Sequence, residues 1–339
     1  MSIPMMGITI LWMYLFGYLI LASVDFGAGF YAYYAKWRKK DIKLVKLTNR
    51  YLSPIWEVTN VLFVFFFVGL IGLFPDTAYY YGTSLLIPGS VAFILLAIRG
   101  SFYAFENYGS KQSRIYMFLY GATGLLIPAT LSIALMISEG GFISKQDHTV
   151  VLLADKLATS SYSWSTILLA IVSVLYISAS FLTYYADRAG DEESVNVMRK
   201  FSLFWAIPTI LASIFVFLSI RTHNPEHFQH MMQPGILGMF CLSFACFLGA
   251  THFLFHRNRY GLAFLFVIFQ YLFAFFGYGA GHLPYILYPY ITIYSGYTNE
   301  AMGMALVVAF GFGILLLIPT LYLLLRVFLF DAKYIKEEK

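Results

Sequence analysis

Four ionisable side chains stand within or at the ends of long apolar runs, where a charge is costly. They are Asp25 in VDFGAGF, Glu57 in PIWEVTNV, Arg99 in AIRGSF and Glu106 in YAFENYG. A charge at mid-membrane depth costs about 2.5–3.5 kcal/mol on insertion scales, so such residues face a bundle interior and mark ion pairs or pathways. Two kinds of chemistry are open to this set. Asp25 and Arg99, with Glu106 nearby in sequence, can form a structural ion pair that fixes helices together. Asp25 and Glu57 can instead pass protons through ordered water, with Thr59 and Asn60 supplying polar atoms close to Glu57. The two roles are compatible. Gly27 and Gly29 beside Asp25 allow a neighbouring backbone to approach closely.

The histidines invite a haem or metal reading. His223, His227 and His230 fall in THNPEHFQH, which reads as an exposed outer loop, and His148 falls in another. His252 and His256 sit together at an inner helix end, and His282 opens the loop after the eighth apolar segment. None stands mid-span opposite another His or Met, as membrane haem ligation requires. No haem or metal is therefore assigned to this chain alone; a metal pair of His227 and His230 is only weakly signalled. Cys241 and Cys246 are spaced to lie on different helix faces and read as buried bystanders.

These residues must be carried by membrane helices. Of the 339 residues, 60% are hydrophobic and 12% charged, against about 25% charged in a soluble domain. The small net charge of +5 lies almost wholly on one side and gives a nucleic-acid partner no support. Crossing a hydrocarbon core takes roughly 20 apolar residues, and nine segments qualify. They fall near 8–35, 54–74, 82–107, 114–138, 164–186, 200–220, 235–255, 260–280 and 302–329. The first lacks the basic flank and cleavage site of a signal peptide and reads as a retained helix. The stretch VVLLADKL, in the longest connection, reads as an amphipathic piece lying along the interface. Eighteen of the 22 Lys/Arg fall in alternate loops and the C-terminal tail. That bias places the N-terminus outside and the C-terminus in the cytoplasm. The expected fold is all-α: a single multi-pass membrane domain of two four-helix bundles, about 8–138 and 164–280, with helix 9 added.

Four motifs in order resemble subunit II of the cytochrome bd-type quinol oxidases: VDFGAGF, PIWEVTNVLFV, AIRGSFYAFENYG and LPYILYPYITI. The chain looks like the short, Gram-positive-type branch of that family. The resemblance implies a haem-free subunit in a bacterial cell membrane, supporting a haem-bearing subunit I that oxidises quinol and reduces O2 to water. Haems b and d, or b-type haem in place of d, and the quinol site would belong to that partner. A small single-span subunit and membrane lipids or quinone are further candidate partners. Asp25 matches the family's DFG aspartate, and Glu57 takes the place of the acid after the tryptophan, on a route for cytoplasmic protons. WEVTNVLF lacks the family's second acid and second Trp, and Phe105–Glu106 is offset from the family's Phe-Glu. A stand-alone secondary transporter or ion channel is the alternative reading, although no pair of Gly/Pro-broken helices occupies matching positions in two halves.

Overall fold

The computed structural model describes residues 2–37, 59–108, 114–146 and 149–326. Glu57 and His148 lie outside the described residues. Within lipid the backbone polar groups must be satisfied inside the segment, so apolar runs become helices. In chain order these are α1 (Ile3–Trp37), α2 (Thr59–Leu73), α3 (Asp76–Ser84), α4 (Leu86–Tyr108) and α5 (Arg114–Ser138). They are followed by α6 (Ala154–Thr159), α7 (Ser161–Ala189), α8 (Glu192–His223) and α9 (Pro225–Met231). The last are α10 (Pro234–Phe255), α11 (Tyr260–His282) and α12 (Glu300–Leu325). Among the described residues, seven helices are long and apolar enough to cross a membrane: α1, α5, α7, α8, α10, α11 and α12. The α3–α4 pair is a broken eighth candidate, bent by 76°.

The bend corrects the span expected at 82–107. DTAYYYG, which overlaps the start of that span, folds as the short helix α3, and α4 starts only at Leu86. Pro75 has a helix-compatible backbone at the entry, Asp76 sits at the positive end of the helix dipole, and the Thr77 hydroxyl donates to the Phe74 carbonyl at 2.6 Å.

A second correction concerns VVLLADKL, which is no continuous amphipathic helix. Its first part belongs to strand β2 (Thr149–Leu152), antiparallel to β1 (Ile143–Gln146) with Ile143 opposite Leu152, and its second part to α6. Gly140 and Gly141 take positive φ and end α5, after which β-branched Ile143 and Val150 turn inward and pack. LPYILYPYITI folds as a hairpin of β3 (Tyr285–Leu287) and β4 (Ile291–Thr292), with cis peptides before Pro284 and Pro289. The Tyr288 amide donates to the Ser138 carbonyl at 2.9 Å, which docks this hairpin on the end of α5.

The centre of the molecule is α7, flanked by α1, α5, α8 and α11. The core joins Val24, Ala28 and Tyr31 of α1 to Leu175, Ile177 and Leu182 of α7. Gly27 is where α1 meets α7: a Cβ there would stand 2.8 Å from the Val174 carbonyl, and Ser178 donates to the Val24 carbonyl at 3.0 Å. The outer surface carries Phe93, Ile207, Phe215 and Leu316 exposed, as a lipid-facing surface requires. Cys241 is also exposed and Cys246 partly so, which corrects their reading as buried.

Candidate functional site

α1 and α5 run antiparallel, with Gly29 against Tyr120 and Gly124 against the Phe26 carbonyl. That close approach makes room for Arg99, which reaches in from α4. Arg99 is 0% exposed and Asp25 1%. Arg99 Nε donates to Asp25 Oδ2 at 3.0 Å, Nη2 to the Asp25 carbonyl at 2.7 Å and Nη1 to the Tyr120 carbonyl at 2.9 Å. The Tyr120 hydroxyl donates to Asp25 Oδ1 at 3.3 Å. The guanidinium carbon lies 4.0 Å from the Tyr120 ring centre and 5.1 Å from that of Phe26, in the range of a cation–π contact.

Each part of VDFGAGF therefore has a contact: Asp25 is the anion, Phe26 one face for the cation, Gly27 the α7 crossing. A side chain at Gly29 would meet the Tyr120 ring at 2.7 Å and Arg99 Nη1 at 3.2 Å. Desolvating two charges is compensated here by direct pairing and by hydrogen bonds to the remaining polar atoms.

The structure brings Asp25 and Arg99 together, as the sequence allowed. Thr59 is buried and Asn60 half-buried at the start of α2. α2 packs antiparallel to α1, Leu62 against Gly17 and Leu11 against Gly69. This register places Thr59 level with Ile20, about 7 Å along the axis from Asp25 at 1.5 Å per residue. Glu106 belongs to the last turns of α4, beyond Arg99. Tyr120 was not singled out by sequence; nothing distinguishes it among 27 tyrosines.

A second ionic centre lies at the far end of α5. Glu139, directly after that helix, is buried with His227 of α9 and His282 at the end of α11. Glu139 Oε1 lies 2.7 Å from His227 Nδ1 and 3.5 Å from His282 Nδ1, and it accepts a hydrogen bond from the Tyr278 hydroxyl. The other oxygen accepts from Asn224 Nδ2 at 3.0 Å. Burial pushes the Glu139 carboxyl up, but the His227 hydrogen bond, the imidazole charges and the Tyr278 hydroxyl outweigh it and hold the group at about 2. It is a carboxylate at neutral pH.

This centre corrects the reading of THNPEHFQH as an exposed loop. Asn224 caps α9 by accepting from the His227 amide at 3.1 Å, which turns His227 inward. His230 does not share its site: its Nδ1 faces the Gly281 carbonyl at 3.2 Å. The signal in the sequence was slight, an acid in SEGG and histidines at two helix ends, far apart along the chain.

Fold and site together define a multi-pass, predominantly helical membrane protein with ionic centres enclosed among its helices. Residues 3–328 match the family model for cytochrome bd terminal oxidase subunit II. A Bacillus subtilis (strain 168) protein, named as a cytochrome bd menaquinol oxidase subunit II, is 33% identical over 343 residues, covering 99% of this chain and 98% of its own. The structure of bd oxidase from Geobacillus thermodenitrificans contains a similar chain, 53% identical, with a TM-score of 0.86 over 98% of this chain and 100% of that one. The chain belongs to the cytochrome bd terminal oxidase subunit II family. It is a multi-pass protein of a bacterial membrane and part of a quinol oxidase complex.

Proposed function

We propose that this chain is the haem-free subunit II of a terminal oxidase that reduces O2 to water, and that it feeds protons from the cytoplasm to a haem-bearing subunit I. The observation that carries the reading is the enclosed Asp25–Arg99 centre at the junction of α1, α4 and α5. Haems b and d, or b-type haem in place of d, and the quinol site are assigned to the partner. Given the name of the Bacillus relative, menaquinol is the substrate class we assign to the complex. Lipid or quinone, and a small single-span subunit, complete the proposed partners.

The route we assign runs through Asp25 and Glu57, with Thr59 and Asn60 as polar relays at the start of α2. Arg99 and Glu106 take the role of an ion pair or of further members of the route. We assign nine spans, with 54–74 and the bent α3–α4 pair each counted once, in two four-helix units with helix 9 added. The N-terminus is placed outside and the C-terminus in the cytoplasm. Family membership does not favour the stand-alone transporter or channel.

One specific observation supports a purely structural role for Asp25: both of its carboxylate oxygens already have partners, Arg99 and Tyr120. Haem assignment is tested by expression with and without subunit I. The chain alone is expected to be colourless in membranes and to yield a reduced-minus-oxidised haem spectrum only with the partner. A haem spectrum from the chain alone contradicts the assignment.

A further inference from the structure

We propose that Glu139, His227 and His282 form a divalent-cation site, fitted to Zn2+, which ties together the ends of α5, α9 and α11. Each residue offers one ligand atom, these atoms all lie within 4.8 Å of one another, and all three residues are buried. Two imidazoles and one carboxylate are a donor set suited to zinc, with a further oxygen completing a tetrahedron.

The hydrogen-bond directions at His227 point to a cation. Its Nε2 lies 3.2 Å from the Tyr278 carbonyl, which can only accept, so Nε2 carries the proton. In a neutral ring that leaves Nδ1 as a lone pair, facing Glu139 Oε1 at 2.7 Å. Two lone pairs facing each other require a positive charge: an added proton at this separation, or a zinc ion once the two atoms part by about half an ångström to take tetrahedral positions. A ring N–H held by a backbone carbonyl is also the usual outer support of a metal-ligating histidine.

Further features indicate a built site. Asn224 holds the second carboxylate oxygen while capping α9, so one side chain aims both His227 and Glu139. Gly281 lets α11 press against the imidazole: a Cβ there would stand 2.9 Å from His227 Nε2. His282 is 7% exposed, so its ring is enclosed with the other two side chains. The centre is separate from Asp25. Phe26 lies against Gly124 of α5, so Asp25 is level with the residue after it, and Glu139 stands about 21 Å farther along that axis.

The test is the zinc content of the whole oxidase complex, purified after equilibration with Zn2+ and removal of loosely held metal, alongside His282→Ala and Glu139→Gln complexes. One zinc per wild-type complex is expected, lost in both variants while the haem iron content is unchanged. A wild-type complex without stoichiometric zinc shows that a proton alone fills the gap and overturns the proposal, as does zinc retained in both variants. If neither variant assembles, zinc-edge X-ray absorption of the wild type decides. Imidazole scattering with a first shell near ~2.0–2.1 Å supports the site, and no bound zinc or a shell without imidazole overturns it.

Discussion

At the scale of single residues, Arg99 and Asp25 are held by reciprocal need. Removing one member of a buried pair leaves an uncompensated charge and costs about 3–5 kcal/mol, whereas replacing both with apolar groups of similar volume is often close to neutral. Arg99→Met is therefore expected to lower the thermal stability of the complex sharply, and Arg99→Met with Asp25→Leu to recover most of the loss. A double variant no more stable than the single one would mean that the stacking of the guanidinium on Tyr120 and Phe26, rather than charge pairing, dominates the site. The presence of an acid and a base in apolar runs was legible in the sequence. Their meeting, and the part played by Tyr120, were not, because a residue that donates through its hydroxyl and accepts through its carbonyl looks like any other aromatic residue in a membrane helix.

At the scale of elements, the helix crossings are set by glycines whose neighbours are backbone or stiff groups. Gly27→Ala would push a methyl into Ser178 and the Val174 carbonyl, and neither can retreat without moving α7. Overpacking of this kind costs about 1–3 kcal/mol, and the thermal midpoint of the complex should fall accordingly. Gly82 of α3 is the control, since nothing lies within 4 Å of an added Cβ. Gly82→Ala should gain about 0.5–1 kcal/mol of helix stability. Equal effects from the two substitutions would remove the argument for a tight α1–α7 crossing.

The same scale explains what the sequence concealed. Long apolar runs such as α7 and α11 announce themselves, because lipid leaves the backbone no other choice. Short elements outside that constraint do not. α3 is a run of tyrosines and small polar residues that could equally anchor a loop. The β1–β2 hairpin is hidden by Leu152, Leu153 and Leu157, whose spacing also suits a helix. His227 is turned inward by a cap from Asn224, a local hydrogen bond that hydropathy does not register.

At the scale of the whole molecule, the charge bias makes a claim about sides. With Cys241 and Cys246 replaced, Lys145→Cys in β1 should react with an impermeant thiol reagent added outside intact cells. Glu193→Cys at the start of α8 should react only after the membrane is opened. Both positions are exposed. Reversed labelling would invert the orientation, and labelling of both from one side would break the alternation of loops on which the nine-span assignment rests.

Asp25 as a carrier of cytoplasmic protons is tested most directly by O2 consumption per haem in the Asp25→Asn complex at saturating quinol, with the reduced-minus-oxidised spectrum recorded on the same sample. The account predicts a wild-type spectrum with much slower turnover, recovered in part by Asp25→Glu. A wild-type spectrum with undiminished turnover, or loss of the haem signal together with assembly, would contradict it and leave Asp25 as one half of a structural ion pair.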